Sequence, residues 1–308
     1  MGAKQLFSET VRQYGEDKTT RLAAALAYYT ALSLAPLLLI AIAIAGLIFG
    51  EEAARGMVLE QLDGLMGSAG AQVVQGMVAG ASQPGHNAVA LIIGFGALLF
   101  AASGVFGQLQ DALNTIFEVE PKKEGLLAMV RRRFFSFTLV LGTGFLLLVS
   151  LIISAALAAL QRYLAERFAL AAALGPALNA LVAVAVIALM FALLFRFVPD
   201  VRISWRDAWV GALLTAILFE LGKYLLGLYL GRGSFASTYG AAASMVVLLI
   251  WIYYASLIVF FGAEFTQVYA IAHGRVPEPD AHAVPLTPEA MAQQGAPPRS
   301  RPPRLSPG

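Results

Sequence analysis

Residues 22–49 read LAAALAYYTALSLAPLLLIAIAIAGLIF and contain no Asp, Glu, Lys or Arg. About 20 consecutive apolar residues are enough for a helix to cross the hydrocarbon layer of a membrane, and this stretch is longer than that. Pro36 interrupts the run, but membrane helices tolerate a proline kink when neighbouring groups satisfy the freed carbonyl. The stretch therefore predicts a membrane-spanning helix.

Five further apolar stretches follow along the chain. The composition agrees with them, because 59% of the residues are hydrophobic and 13% are charged, whereas soluble domains contain about 25% charged residues. We therefore predict an all-α polytopic membrane protein with six transmembrane helices. The predicted spans are residues 22–49, 87–107, 134–160, 174–195, 208–230 and 241–272.

The segments outside these spans differ from one another in composition. Residues 1–21 are polar and charged and lack a cleavage site of small residues, which predicts a cytoplasmic N-terminal segment rather than a cleaved signal peptide. Residues 51–85 carry apolar residues at helical spacing and predict an amphipathic helical hairpin on the outer surface, between the first two spans. After the membrane domain, 22–273, the proline-rich residues 274–308 predict a disordered cytoplasmic tail.

The distribution of positive charge predicts the orientation. Sixteen of the 21 Lys and Arg residues fall in segments on the N-terminal side of the predicted membrane, and four fall on the other side. Loops rich in Lys and Arg are retained in the cytoplasm. We therefore expect both termini to be cytoplasmic.

Four short patches occur in order along the chain: LAYYTALSLAPL at 26–37, Val198-Pro-Asp, WIYYAS at 251–256 and Gly262-Ala-Glu264. These patches resemble the YihY/BrkB family of bacterial inner-membrane proteins. Their combination and order are specific, although no single patch is. The resemblance covers residues from about 5 to 273 and implies a location in the bacterial inner membrane.

The functional labels that the resemblance brings are diverse: a tRNA-processing ribonuclease, a virulence or serum-resistance factor, and a transporter. A metal-dependent ribonuclease needs clustered ligands that activate water. This chain has no Cys, and His86, His273 and His282 lie in three different segments. The sequence therefore predicts no enzyme, no cofactor and no metal site, and a net charge of +2 indicates no nucleic-acid partner.

Two charged residues lie within the fifth predicted span. Glu220 and Lys223 are three residues apart, so they share one face of a helix and can neutralise each other. A charge at the bilayer centre costs about 2.5–3.5 kcal/mol on insertion scales, and such residues therefore point into the bundle. One interpretation is a gated ion pair that lines a substrate or proton path; the other is a structural pair that fixes the helix against its neighbours.

A second group of polar residues lies near the cytoplasmic ends of the spans. Glu264 in the sixth span is predicted to face Asp111 and Asn114 across the bundle, forming a polar cluster open to the cytoplasm. Ordinary helix capping and interfacial anchoring would explain the same residues. Tyr28 belongs to a polar strip near the cytoplasmic end of the first span and completes the candidate site.

These residues support two hypotheses of function. The favoured one is transport or handling of a membrane-associated solute, lipid or ion, with membrane lipids as partners. The alternative is a scaffold without transport activity that docks an envelope protein through the outer hairpin, where Met57, Val73 and Met77 would offer an apolar face. The sequence leaves the substrate and the oligomeric state open.

Overall fold

The structure is a computed structural model. It describes residues 1–56, 58–60, 74–76, 78, 104–122, 169–232, 243–287 and 289–290. The predicted span 134–160, most of the span 87–107 and most of the hairpin 51–85 lie outside the described residues, as do Met57, Val73 and Met77.

Helices dominate the described part of the chain. They are α1 (Ala3–Glu16), α2 (Thr19–Phe49), α3 (104–116), α4 (Ala169–Phe197), α5 (Trp205–Arg232) and α6 (Ala243–Ala272). Shorter helical stretches include 51–56 and 58–60. The first, fourth, fifth and sixth predicted spans thus correspond to α2, α4, α5 and α6.

Two of these helices are long and apolar enough to cross a membrane. Trp205–Leu226 of α5 has a mean hydropathy of 1.5, and Met245–Ala272 of α6 has a mean hydropathy of 2.3. Val184–Phe197 of α4 forms a shorter apolar helix. The described part of the chain therefore supports a membrane location. It does not test the predicted number of six spans.

Helix α6 occupies the centre of the described structure. Helices α1, α2 and α5 each pack against it, and α4 packs against α5. The main core brings together the fully buried Leu113 of α3, Phe195 of α4 and Phe260 of α6. A second core joins α2 to the N-terminal half of α6 through residues that include Ile42 and Leu248.

Helices α5 and α6 approach each other through a reciprocal glycine and threonine contact. A Cβ on Gly211 would overlap the Thr266 hydroxyl and lie 2.9 Å from Thr266 Cβ, and a Cβ on Gly262 would overlap Thr215 in the same way. Each threonine hydroxyl donates a 2.7 Å hydrogen bond to the glycine carbonyl four residues earlier in its own helix. Small residues at such contacts let membrane helices pack closely, because their backbones can approach without steric overlap.

The side of α5 away from α6 carries large apolar side chains that remain exposed. They recur mainly every four residues, at helical spacing, and are Trp205, Trp209, Leu213, Ile217, Leu221, Leu225 and Leu228. An exposed apolar stripe along a whole helix is unusual for a soluble protein. It fits a surface in contact with lipid.

The segment after α6 is ordered over residues 276–287, which we call the strap. Its strand β3 (Glu278–Pro279) pairs antiparallel with β2 (Val201–Arg202), and its strand β4 (Ala283–Pro285) pairs antiparallel with β1 (Val119–Pro121). The strap thereby joins the loop after α3 to the loop between α4 and α5. We call this side of the molecule the strap face.

Over residues 276–287 the structure thus has paired strands where the sequence predicted a disordered tail, whereas residues 291–308 lie outside the described residues. The segment is rich in proline and poor in apolar residues, so it cannot form a hydrophobic core of its own. The strap instead pairs with two loops that are distant from it in the sequence, and its Ala283 and Leu286 side chains are buried. Proline is compatible with such short edge strands, where few backbone donors are needed.

Candidate functional site

Glu220 and Lys223 of α5 form an ion pair within the candidate membrane span. Lys223 Nζ lies 2.9 Å from Glu220 Oε2 and 3.0 Å from Oε1. The side chains are nevertheless 27% exposed for Glu220 and 32% for Lys223. Two charges in direct contact suppress each other's insertion cost, but this pair is not sealed by protein on all sides.

Lys223 of the pair borders a small cleft between α5 and α6. The cleft is lined by Lys223, Phe219 and Leu226 from α5 and by Trp251, Tyr254, Ala255 and Ile258 from α6. Gly222 lets Tyr254 pack directly against α5, because a Cβ there would lie 2.5 Å from the Tyr254 hydroxyl oxygen. The walls are therefore apolar and aromatic, and the polar groups are a hydroxyl and an ammonium.

Aromatic contacts fix the base of this cleft. The rings of Phe219 and Trp251 meet edge to face with centroids 6.1 Å apart, and Phe219 also packs at 5.8 Å against Phe191 of α4. Edge-to-face aromatic pairs add about 0.5–1.5 kcal/mol beyond the burial of their area. Phe219 and Trp251, which line the cleft, are thus held in place by aromatic contacts among three helices.

The ion pair lies toward the far end of the span from the strap face. With a rise of 1.5 Å per residue, Glu220 is about 22 Å and Lys223 about 27 Å along α5 from Trp205. The hydrocarbon core is about 30 Å thick. The pair therefore lies in the final third of the span rather than at its middle, where a lysine can extend its ammonium group toward the membrane surface.

Glu264 is 0% exposed and lies on α6 beside the N-terminal helix. Helix α1 packs there through the Tyr14 ring, whose centroid is 5.8 Å from that of Phe261, and through the Tyr14 hydroxyl, which donates to the Leu257 carbonyl oxygen at 3.4 Å. Burial raises the pKa of Tyr14, and the nearby Tyr253 and Glu264 raise it further. The predicted cytoplasmic segment 1–21 is thus a packed helix next to a buried carboxylate.

Asn114 is buried on α3 and binds Asp200 in the loop before α5. Its Nδ2 donates to Asp200 Oδ2 at 2.8 Å, and its Oδ1 accepts from the Asp200 backbone N–H at 2.8 Å. Gln110 Nε2 donates to Asp200 Oδ1 at 3.1 Å. The hydrogen bonds of Asn114 that the structure defines therefore join α3 to the loop between α4 and α5, whereas the sequence predicted a contact with Glu264.

Asp111 and Tyr28 both present exposed surface. Asp111 lies at the exposed side of α3, although nearby protein displaces water from its carboxyl group and so raises its pKa. Tyr28 is 60% exposed on α2, and its ring meets that of Tyr29 at 5.9 Å. These residues thus lie on four helices: Glu220 and Lys223 on α5, Glu264 on α6, Asp111 and Asn114 on α3, and Tyr28 on α2.

The ion pair on the strap face that has the most hydrogen bonds was not predicted from the sequence. Arg275 donates to Asp207 through Nε at 2.9 Å and 3.0 Å and through Nη2 at 2.6 Å, and Asp207 is 1% exposed. Ser204 donates to the same carboxylate at 2.6 Å and accepts from the Asp207 backbone N–H at 3.2 Å. The signal was present as Ser204-Trp-Arg-Asp207, a capping pattern with an acidic residue at the third helical position.

The chain matches the sequence profile of the family described as virulence factor BrkB over residues 10–286. It is 30% identical over 267 residues to a UPF0761 membrane protein of Alkalilimnicola ehrlichii, covering 85% of this chain and 58% of that protein. It is also 30% identical over 264 residues to a UPF0761 membrane protein of Photobacterium profundum, covering 83% of this chain and 77% of that protein.

A shorter match, 46% identical over 71 residues, covers 23% of this chain and 17% of a UPF0761 membrane protein of Verminephrobacter eiseniae. The chain thus aligns with less than two thirds of some of these relatives. No solved structure matches it. The family match extends past residue 273, where the resemblance was expected to end, and includes the strap almost to its last residue. This integral membrane protein therefore belongs to the BrkB family.

Proposed function

We propose that the chain binds and moves a membrane-embedded amphiphile, and that the Glu220–Lys223 ion pair is the contact point for its polar part. The observation that carries this proposal is the partial exposure of both charges, of which Lys223 lines an apolar, aromatic cleft. Ligand sites generally combine such apolar walls with a few polar groups that fix orientation. The activity is that of a carrier rather than an enzyme.

The position of the pair on α5 favours this interpretation over a purely structural one. Lys223 and Phe219 face α6, on the side of the helix opposite the exposed stripe that includes Leu221 and Leu225. A structural pair in that position is expected to be enclosed by the neighbouring helix. The exposed fractions instead leave part of each charged group accessible from outside the protein.

The proposal includes an arrangement in the membrane. The chain crosses the bacterial inner membrane six times, the hairpin 51–85 lies on the outer face, and the strap face and both termini are cytoplasmic. The bias of Lys and Arg supports this orientation. Trp205 and Trp209 lie at the strap-face end of α5, and the Arg196 guanidinium lies 5.8 Å from the centre of the Trp205 ring. Such an arrangement is typical of a membrane interface.

Movement of a tail-labelled phospholipid between leaflets tests the proposal. Purified protein in vesicles should accelerate the loss of label to an impermeant quencher. Lys223→Gln should slow that exchange by roughly tenfold, because it removes one charge-assisted hydrogen bond. Arg202→Gln is the matched control, since it removes a cation from the exposed Arg202–Asp280 pair on the strap face.

Wild-type exchange no faster than in empty vesicles would overturn the proposal. So would equal rates for wild type and Lys223→Gln, provided that both proteins elute as single species. Loss of exchange in Arg202→Gln as well would show that any lost charge impairs the protein, and the cleft would have no special role.

A further inference from the structure

We infer that a cavity between α2 and the hairpin 51–85 binds the carboxylate end of a membrane-embedded aliphatic acid, and that Arg55 holds its charge. We call this space the outer cavity. The residues that line it include Leu38, Ile42, Arg55, Val58, Val74 and Gln75. The inference goes beyond the proposed function, because none of these residues belongs to the cleft between α5 and α6.

The chain turns back against α2 where that helix ends. Gly50 has a φ of +85°, a backbone conformation that glycine adopts more readily than other residues. Beyond this turn, Ala54 is 0% exposed and shares a hydrophobic core with Ile42 of α2 and with Val74. Two parts of the hairpin thus pack against the same half of α2, and the outer cavity lies among these three segments.

The outer cavity has room for the end of a ligand but not for a whole phospholipid headgroup. Its volume is about 60 Å³. One ordered water needs about 10–15 Å³ of such space, so the cavity accommodates roughly four to six groups of that size. A carboxylate and about two methylene groups of the attached chain fill that space, and the rest of the chain lies outside the cavity.

The side chains around the cavity favour an acid attached to an apolar chain. Most of the described lining is aliphatic, and the exceptions are Arg55 and Gln75. A guanidinium group holds a carboxylate through two parallel hydrogen bonds, and its five donors allow it to keep a contact within the protein at the same time. The Gln75 amide adds a further donor. Glu51 and Glu52, one turn before Arg55, are exposed and do not line the cavity.

The position of the cavity along α2 points to the membrane as the source of this acid. Ile42 lies about 30 Å along α2 from Leu22, and the hydrocarbon core is about 30 Å thick. Ile42 also shares a core with Leu248 in the N-terminal half of α6, whereas the strap follows the C-terminal end of α6. The cavity therefore lies near the membrane boundary opposite the strap face. The acid group of an amphiphile lies at such a boundary, because burial of a charge in hydrocarbon is costly.

Native mass spectrometry of the full-length protein in mild detergent tests this inference. The protein is supplied in turn with hexadecanoate, hexadecanol, butyrate and phosphatidylglycerol. Wild type should retain one hexadecanoate in preference to the other ligands. Arg55→Gln should lower that retention by roughly tenfold, because it removes a charge-assisted hydrogen bond. Arg202→Gln should leave the retention unchanged, since Arg202 pairs with Asp280 on the strap face.

A second variant, Val58→Phe, keeps Arg55 and fills the cavity with a larger side chain. It should also lower the retention of hexadecanoate, because the space that the ligand needs is then occupied. The test therefore does not depend on the loss of a charge alone. Size-exclusion chromatography shows whether each variant is a single species.

Equal retention of hexadecanoate by wild type and Arg55→Gln would overturn the inference. Retention of hexadecanol at the level of hexadecanoate would show that the cavity recognises only the chain. Equal retention of butyrate would show that the ligand comes from water rather than from the membrane, and equal retention of phosphatidylglycerol would show a site for phospholipids. Each of these last three results would overturn the choice of ligand.

Discussion

At the scale of single residues, the close contact between α5 and α6 depends on two glycines. Gly211 faces Thr266, Gly262 faces Thr215, and each pair leaves no space for a Cβ. The sequence contains Gly262 in a patch shared with the family but gives no sign of its partner. Which threonine faces which glycine depends on the register of two helices about fifty residues apart, and hydropathy carries no information on that register.

Gly211→Ala should therefore destabilise the protein. The added methyl group overlaps Thr266, and overpacking of a well-packed contact typically costs about 1–3 kcal/mol. The midpoint of thermal unfolding in detergent should fall by several degrees. Gly15→Ala in α1 is the matched control, because a Cβ there meets nothing within 4 Å. Equal midpoints for the two variants would contradict the close contact between α5 and α6.

The charged residues of the candidate site show which contacts can be predicted from individual residues and their spacing. Glu220 and Lys223 stood out because a charge is rare in an apolar span, and their spacing of three residues predicted the ion pair that the structure contains. The partner of Asn114 could not be predicted in this way. Asp200 is 86 residues away, and that contact depends on how α3 meets the loop before α5.

At the scale of elements, the strap forms hydrogen bonds to two loops that are distant from it in the sequence. The Lys122 backbone N–H donates to the His282 carbonyl oxygen at 3.0 Å, and the Leu286 N–H donates to the Glu118 carbonyl oxygen at 2.8 Å. Lys122 Nζ also donates to the Ala281 carbonyl oxygen at 2.8 Å. The long helices could be predicted from the sequence because an apolar run can be recognised without knowing what the helix packs against. Strands of two or three residues acquire their structure only from the loops with which they pair.

Removing the strap should expose the loop after α3. A chain that ends at Val276 loses these three hydrogen bonds together with the pairing of β1 and β4, and each bond contributes about 0.5–1.5 kcal/mol. Trypsin should then cleave after Lys122 roughly tenfold faster or more, as the open form becomes more populated. A chain that ends at Ala290 keeps the strap and serves as the control. The same cleavage rate in both chains would show that the strap does not protect this loop.

At the scale of the whole molecule, the strap face and the opposite face should lie in different compartments. The chain contains no Cys, so a single introduced thiol reports its own side. An impermeant maleimide added to intact cells should label Glu52→Cys, just beyond the end of α2, and should not label His282→Cys in the strap. Cell lysis should make His282→Cys reactive. Labelling of His282→Cys in intact cells would reverse the proposed orientation.

The strap also has a consequence for synthesis of the protein on the ribosome. Strand β1 is made early, but its partner β4 follows about 160 residues later. At roughly 5–20 residues per second, the loop after α3 waits for some 8–30 seconds before it can pair. The strap thus leaves the ribosome after both of the loops with which it pairs, and a chain cut short before it lacks the partners of both loops.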